Sequence, residues 1–331
     1  MLLPLQSVPP RNFIAAIGSA LVDICLLEDD DFLAQTGAQK GGMQLVEHHF
    51  IRETLQKSFK DAAIIPGGSA CNTILGIGKL GGNARFIGKR GIDELGLLFE
   101  KGLRNHNVEP LLMKSETPTG QVLSIITPDA QRSMFTYLGA SAETSPHEIS
   151  PDLFNNCVLV HIEGYLLFNE KLMMAALEAA RESGALISLD LASFTVVEAA
   201  RKLLQEICSK YVDILIANED EARVFTGFSD PRKALEEMAK SSDIAVLKLG
   251  KKGSLIAHGE STIAVSAMGD GSAIDTTGAG DLWAAGFLYG LTRGFPLQKC
   301  GELGSACGYE VCQVVGASIP EEGWKRIKNL F

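Results

Sequence analysis

The sequence predicts an α/β fold: a mostly parallel β-sheet with helices on both faces, forming three layers, plus a small β lid. Three observations carry this. From Cys157 onward, short apolar runs alternate with amphipathic stretches: "CVLVHIEG", "EKLMMAALEAARESG", "ALISLDL", "TVVEAARKLLQEICSK", "VDILIAN", "PRKALEEMAKSS" and "DIAVLKLG". Such alternation marks βαβ units and a parallel sheet. The segment "TGQVLSIITPDAQRSMFTYLGAS" instead holds two β-rich runs about Pro128-Asp129 and reads as a hairpin. Finally, 331 residues with 46% hydrophobic and 21% charged side chains suffice for one large domain with a sizeable core.

In chain order, the first strand is expected in "FIAAIGSALVD", with Asp23 at its carboxyl end, the edge where ligands of open α/β sheets gather. "LLEDDDFLAQTGAQKGGMQLVE" follows and, with the hairpin, gives lid segments at about 25–46 and 118–140 within a single domain spanning 1–331. "SACNTILGIGKL" reads as a helix and "ARFIG" as a strand. Between them Gly76, Gly78 and Gly81 have GxGxxG spacing, but a dinucleotide site needs the glycines after a strand and before a helix. The order is reversed, so these glycines are read as a helix C-terminus and turn. The helical stretches "LQKCGELGSACGYEVCQVVG" and "PEEGWKRIKNLF" close the domain.

Charge narrows the function. A net charge of -10 leaves no basic surplus for phosphate backbones or an anionic membrane, which argues against nucleic-acid and membrane partners and for a small molecule. The seven cysteines are odd in number and never form a CxxC pair, as expected of reduced thiols in a cytosol. The six histidines are scattered, with only His48 and His49 adjacent, and indicate no zinc site. "MLLPLQSVPPRNFIAAIG" lacks the basic start and continuous apolar stretch of a signal peptide, and no apolar run approaches the ~18–20 residues of a membrane span. A cytoplasmic enzyme is the expectation.

One heptapeptide has the order an anion site requires. "DTTGAGD", Asp275 to Asp281, precedes the apolar run "LWAAGFLYGL", whose spacing suggests a helix beginning near Gly280. Free first-turn amides and the positive dipole end would meet an anion that only glycine or alanine lets approach closely. Asp281 then stands where a carboxylate could take the proton of a hydroxyl attacking a phosphoryl group. The plainer alternative is that Asp281 only complements its helix. "PGGSACNT", Pro66 to Thr73, adds a second glycine pair at a helix start, and with Asp23 offers polar groups for a polyhydroxylated ligand. "NEDE", Asn218 to Glu221, follows the strand "VDILIA" and reads either as a capping box or as oxygens acting through water near magnesium and phosphates.

With these residues in view, the sequence resembles the ribokinase-like (PfkB) carbohydrate kinases, and among them the adenosine kinase branch. The likeness runs in order from Asp23 through "PGGSACNT", "IGKRGIDELG", "NEDE" and "LKLGKKGS" to "DTTGAGD". It implies a ribokinase-like three-layer sandwich of about nine strands with a β lid over the substrate. It implies an ATP-dependent phosphotransferase with Asp281 as general base and the amides of Gly278, Ala279 and Gly280 as anion hole. Asp23, Gly67, Gly68 and Asn72 match positions that bind sugar hydroxyls. Asn218 and Glu221 match the element ordering Mg2+ and ATP phosphates, Glu221 through water. Gly250, Gly253 and Thr276 match positions near the nucleotide, and "GSACGYEVCQVVGAS" matches the wall of the adenine pocket. A K+ ion beside the anion hole, as in many relatives, would draw on Asp275, Gly316 and Ser318.

The acceptor is expected to be a nucleoside, adenosine-like, or a sugar. "GGSACNT", "EGYLLF" and "SLDLASF" resemble the adenosine kinase branch, and Tyr165, Phe168, Phe194 or the lid residue Phe135 could stack on a base, although core packing is the default reading of each. No basic cluster marks a second phosphate on the acceptor. Arg90 replaces the small apolar residue usual in the resemblance and would meet either a charged substrate or the surface. A free sugar such as ribose or fructose, and a non-catalytic sensor on the same fold, are the alternatives. Both a monomer and a homodimer fit the sequence.

Overall fold

A computed structural model describes residues 11–38, 40–129 and 131–331; the start read above for a signal peptide, 1–10, lies outside them. In chain order the strands are β1 (Phe13–Ile17), β2 (Leu21–Leu27), β3 (Met43–Leu45), β4 (Ala63–Gly67), β5 (Asn83–Gly91), β6 (Val108–Ser115), β7 (Gly120–Ile126), β8 (Arg132–Tyr137), β9 (Cys157–Glu163), β10 (Leu186–Asp190), β11 (Ile214–Asn218), β12 (Ile244–Lys248), β13 (Ser254–His258) and β14 (Ser261–Val265). The α-helices are α1 (Asp30–Ala34), α2 (His48–Lys57), α3 (Ser69–Leu80), α4 (Glu94–Asn105), α5 (Glu170–Glu182), α6 (Phe194–Tyr211), α7 (Glu219–Thr226), α8 (Pro231–Met238), α9 (Ala279–Thr292), α10 (Leu297–Val311) and α11 (Glu321–Lys328).

Nine strands form the large sheet in the order β14-β13-β12-β11-β10-β9-β1-β5-β6. All its pairings are parallel except those of β13 with β12 and β14. Strands buried on both faces must be apolar at every position, and β11 shows how the period of two serves both sides. Ile214 and Ile216 join the core that holds Ile74 of α3, Phe287 of α9 and Leu303 of α10. Leu215 and Ala217 join the core of Met173 on α5, Leu204 on α6 and Phe225 on α7. Helix α9 is buried from Leu282 to Leu291, and so apolar all round. It sits close to both neighbours because a Cβ on Gly76 of α3 would lie 2.7 Å from Ala285, and one on Gly286 2.6 Å from the Leu303 carbonyl.

The smaller sheet runs β3-β8-β7-β2-β4. Ile24, Leu26, Leu123, Ile125 and Phe135 pack with Leu33 of α1 and Ile51 of α2 into a third core, leaving the alternate residues of these strands for the opposite face. The hairpin about Pro128-Asp129 is present as the antiparallel pair β7–β8. Two further strands, β2 and β4, belong to this sheet, so its chain begins ahead of residue 25 and includes 63–67 as well as the segments expected from sequence.

"FIAAIGSALVD" is therefore not one strand. β1 ends at Ile17, the Ser19 amide leaves the ladder to bond Glu163, and the chain passes through Ala20 into the other sheet. A Cβ on Gly18 would come within 2.7 Å of the Glu163 side chain, so only glycine fits at this crossing. Asp23 consequently lies inside β2 of the smaller sheet instead of at the edge of the large one.

Candidate active site

The large sheet changes direction between β1 and β9: the chain first fills the β5–β6 side and then the β9–β12 side. Ligand crevices of open α/β sheets form at the carboxyl ends of strands at such a switch point. Here a cleft of about 290 Å3 lies between the two sheets. Its floor consists of strand ends and the start of α9, with Glu163 ending β9, Asp190 ending β10, Asn218 ending β11 and Lys248 ending β12. Its roof is the smaller sheet, which presents Leu21, Asp23, Met43, Leu45, Val122, Arg132, Met134 and Thr136.

"DTTGAGD" bends into the floor as its composition requires. Gly278, at φ 72°, is the N-cap of α9, a left-handed conformation natural to glycine. The Ala279 amide donates to the Thr276 carbonyl at 3.2 Å, while those of Gly280 and Asp281 have no i−4 acceptor inside the helix. Thr276, Gly278, Ala279, Gly280 and Asp281 all line the cleft. Asp281, in the first turn, receives Ser69 Oγ on Oδ1 at 2.8 Å and Asn72 Nδ2 on Oδ2 at 2.9 Å. Burial raises its pKa above the ordinary carboxylate range, with the two donors and then Lys248 opposing and Asp190 adding to the rise.

Both donors belong to the first turn of α3, whose N-cap Gly68 has φ 94°. Glu163 fixes that turn: it accepts the Ala70 amide at 2.7 Å and the Ser19 amide at 2.9 Å. Burial lifts the Glu163 carboxyl to about 7 in spite of these bonds. Asn72 is 5% exposed, and its buried Oδ1 has no hydrogen-bond partner among the described residues.

At the β10–β12 side of the floor, Lys248 Nζ stands 2.7 Å from Asp190 Oδ2. Asn218 and Glu221 form the capping box: Asn218 Oδ1 accepts the Glu221 amide, and the two Glu221 oxygens accept Asn218 N at 2.8 Å and Nδ2 at 2.7 Å. Desolvation and then Asp190 raise the Glu221 pKa. Among the described residues no three His, Cys, Asp or Glu side chains converge as a metal cluster. The capping box, with both carboxylate oxygens already accepting bonds, suits contact with a nucleotide-borne Mg2+ through water.

In the roof, Asp23 is 5% exposed, and its carboxyl fills the space where a Gly67 side chain would be, 2.2 Å from that ideal Cβ. Burial pushes Asp23 up to about 7, against the pull of Arg132. Tyr165 and Phe168 line the cleft and stack with centroids 6.1 Å apart. Phe135 does not, being wholly buried in the third core, and Phe194 is 49% exposed outside the lining.

Several expected site residues lie elsewhere. Gly250 and Gly253 shape the β12–β13 turn, with φ 54° and 91°, and are not part of the cleft wall. Asp275 and Gly316 meet, the Gly316 amide donating to Asp275 Oδ2 at 2.8 Å while Thr277 N and Oγ1 occupy Oδ1. Ser318 is exposed and lines a separate cavity of about 90 Å3, so the donor set expected for K+ is only partly assembled. Arg90 meets neither a substrate nor the surface: it is 3% exposed, and its Nε donates to Glu100 of α4 at 3.1 Å. Conversely, the sequence reading gave no role to Ser69, Arg132, Glu163, Asp190 or Lys248. The signal for three of them was present as a charged residue closing an apolar run, in "VHIEG", "ISLDL" and "VLKLG".

Residues 43–323 match the model of the pfkB family carbohydrate kinases. A probable sugar kinase from Rhizobium etli CFN 42 is 31% identical with a TM-score of 0.90, covering 97% of this chain and 99% of that one. The adenosine kinase from Sinorhizobium meliloti is 32% identical with a TM-score of 0.89, covering 97% and 100%. A nucleoside kinase of Methanocaldococcus jannaschii is 27% identical over 263 residues, 79% of this chain and 83% of its own. With a switch-point cleft, an open helix start and a carboxylate beside it, this likeness identifies the chain as a member of the pfkB family of carbohydrate kinases, an ATP-dependent kinase of the nucleoside and sugar class.

Proposed function

We propose that the protein transfers the γ-phosphoryl group of ATP to a hydroxymethyl group of an adenosine-like nucleoside. The observation that carries the chemistry is Asp281, held by Ser69 and Asn72 at the open amide end of α9. The acceptor oxygen forms a bond to Pγ, the bond from Pγ to the ADP oxygen breaks, and the hydroxyl proton goes to an Asp281 carboxylate oxygen. Of the three amides expected to form the anion hole, that of Ala279 already donates to the Thr276 carbonyl, which leaves those of Gly278 and Gly280 for the charge that develops. Asp23 and Asn72 grip sugar hydroxyls; Gly67, which lies outside the cleft lining, leaves room for the Asp23 carboxyl instead of for the ligand, and Gly68 lets the chain pass close to the Ser19 carbonyl. Asn218 and Glu221 orient the phosphates through water. Mg2+ bound to ATP would supply charge neutralisation on the phosphate oxygens.

A nucleoside is favoured over a free sugar by the roof. Leu21, Met43, Val122 and Met134, with Tyr165 and Phe168 at the side, make an apolar wall suited to a base. The 32% identical adenosine kinase fits the same reading, while the 31% identical probable sugar kinase fits the sugar alternative equally, so the choice rests on the roof. The test is Mg2+-dependent ADP formation from ATP by the purified protein with adenosine, guanosine, inosine, cytidine, ribose, fructose or no acceptor. Strong stimulation by a nucleoside is expected. Stimulation by a sugar alone would keep the mechanism and overturn the acceptor; none at all would overturn both.

A further inference from the structure

Lys248 is the floor's cation, and the roles above leave it without a task. It closes β12 and is 13% exposed, with Nζ bonded to Asp190 Oδ2 at 2.7 Å. Asp190 is itself fixed, because its Oδ1 accepts the Ala192 amide at 3.0 Å. Ala192 has φ 63°, a conformation that alanine adopts only when the surroundings impose it. The turn after β10 thus aims one carboxylate oxygen at Lys248.

On its other side the ammonium lies against the start of α9: a Cβ on Gly280 would sit 3.0 Å from Nζ. An ammonium carries three protons, and the described hydrogen bonds use one. Nearby Glu221 has both oxygens bonded to Asn218. The cleft is lined by five carboxylates, those of Asp23, Glu163, Asp190, Glu221 and Asp281, against the cations Lys248 and Arg132. A polyphosphate entering it needs a fixed positive charge at the point of transfer. Burial works against the charged ammonium, but Asp190, Glu221 and Asp281 together raise its pKa and keep it protonated.

We propose that Lys248 is a catalytic residue that holds the transferring group: it keeps one N–H to Asp190 and directs its remaining protons to the non-bridging oxygens of the γ-phosphoryl group, beside the Gly280 amide. Asp190 is its positioning residue. Lys248 gives up no proton; it neutralises charge while Pγ passes from the ADP oxygen to the acceptor. This rests on reading the cleft as the phosphoryl-transfer site.

The test compares wild type, Asp281→Asn, Lys248→Met and the double variant Asp190→Asn/Lys248→Met, in which the direct partner of Lys248 is neutralised along with it. Affinities for ADP and for the β,γ-imido analogue of ATP are measured by calorimetry with Mg2+, and turnover is measured with adenosine. Lys248→Met is expected to weaken the imido analogue by at least ~10-fold while changing ADP by less than ~3-fold, and to lower kcat by ~10²-fold or more, with the double variant no better. Equal losses for ADP and the analogue, or a double variant that regains analogue affinity and turnover, would show that Lys248 only balances Asp190 and would overturn the proposal. Normal turnover in Asp281→Asn would instead overturn the reading of the cleft. Inactive Asp281→Asn beside intact analogue binding and turnover in Lys248→Met would overturn the Lys248 role alone.

Discussion

Along the floor of the cleft, successive element ends each contribute one polar side chain, Glu163, Asp190, Asn218, Lys248 and Asp281, and each is tied to a neighbour by a hydrogen bond. The roof offers Leu21, Met43, Leu45, Val122 and Met134, with Asp23, Arg132 and Thr136 among them. The floor is a fixed electrostatic frame on strands paired on both sides. The roof is a shaped apolar surface carrying a few polar anchors. A kinase needs both, but for different partners: phosphoryl transfer is governed by charge and alignment, acceptor choice by shape and a small number of hydrogen bonds.

That division can be broken by substitution. The largest expected effect is on the floor: Asp281→Asn keeps the size of the side chain and should lower kcat by at least ~10²-fold with little change in acceptor affinity. Steady-state kinetics decides it, and near-normal turnover would remove Asp281 from the base role. In the roof, Asp23→Asn should do the opposite, raising the KM of the acceptor by about 10- to 100-fold through loss of charged hydrogen bonds while leaving the KM of ATP unchanged. A matched rise in both constants would show that floor and roof do not divide the work. The smallest effect concerns stability. Glu163 titrates near 7 in the folded protein because it is buried, against an ordinary value of 4.5. Between these values the folded state holds a proton that the unfolded chain has released, so stability falls as pH rises from about 4.5 to about 7 and the penalty is complete above that. Glu163→Gln should flatten this part of the curve in thermal unfolding at pH 5, 6, 7 and 8; an unchanged slope would place the titration elsewhere.

The two regions also differed in how much the sequence revealed. Floor elements follow local rules. "VDILIAN" must be a buried strand, Asn218 and Glu221 form the capping box their spacing allows, and the glycines of "DTTGAGD" open a helix where an apolar run begins. The roof depends on long-range pairing. Nothing local in "FIAAIGSALVD" says that the chain changes sheets at Gly18, because the cause is the side chain of Glu163, 145 residues on. The same limit hid β4, whose pairing with β2 is not encoded in its own pattern, and the burial of Phe135, which faces α1 and α2. Arg90 was misplaced because its partner Glu100 lies on the following helix, and a charged residue in an apolar strand suggests a ligand until that partner is seen. Lys248 and Asp190 were individually visible, but as a pair they exist only through the order of β10, β11 and β12.

One junction joins the two regions mechanically. β4 ends at Gly67 and α3 begins at Ser69, so a single residue separates the roof's edge strand from the turn that holds the Asp281 carboxylate. The same turn is pinned through Glu163 to Ser19, just ahead of β2. The two donors of Asp281, Ser69 and Asn72, therefore sit on a stretch of chain tied to the roof at both of its ends. The shelter of the cleft and the support of the Asp281 carboxylate are thus one covalent piece, and a change made at the edge strand is felt at both.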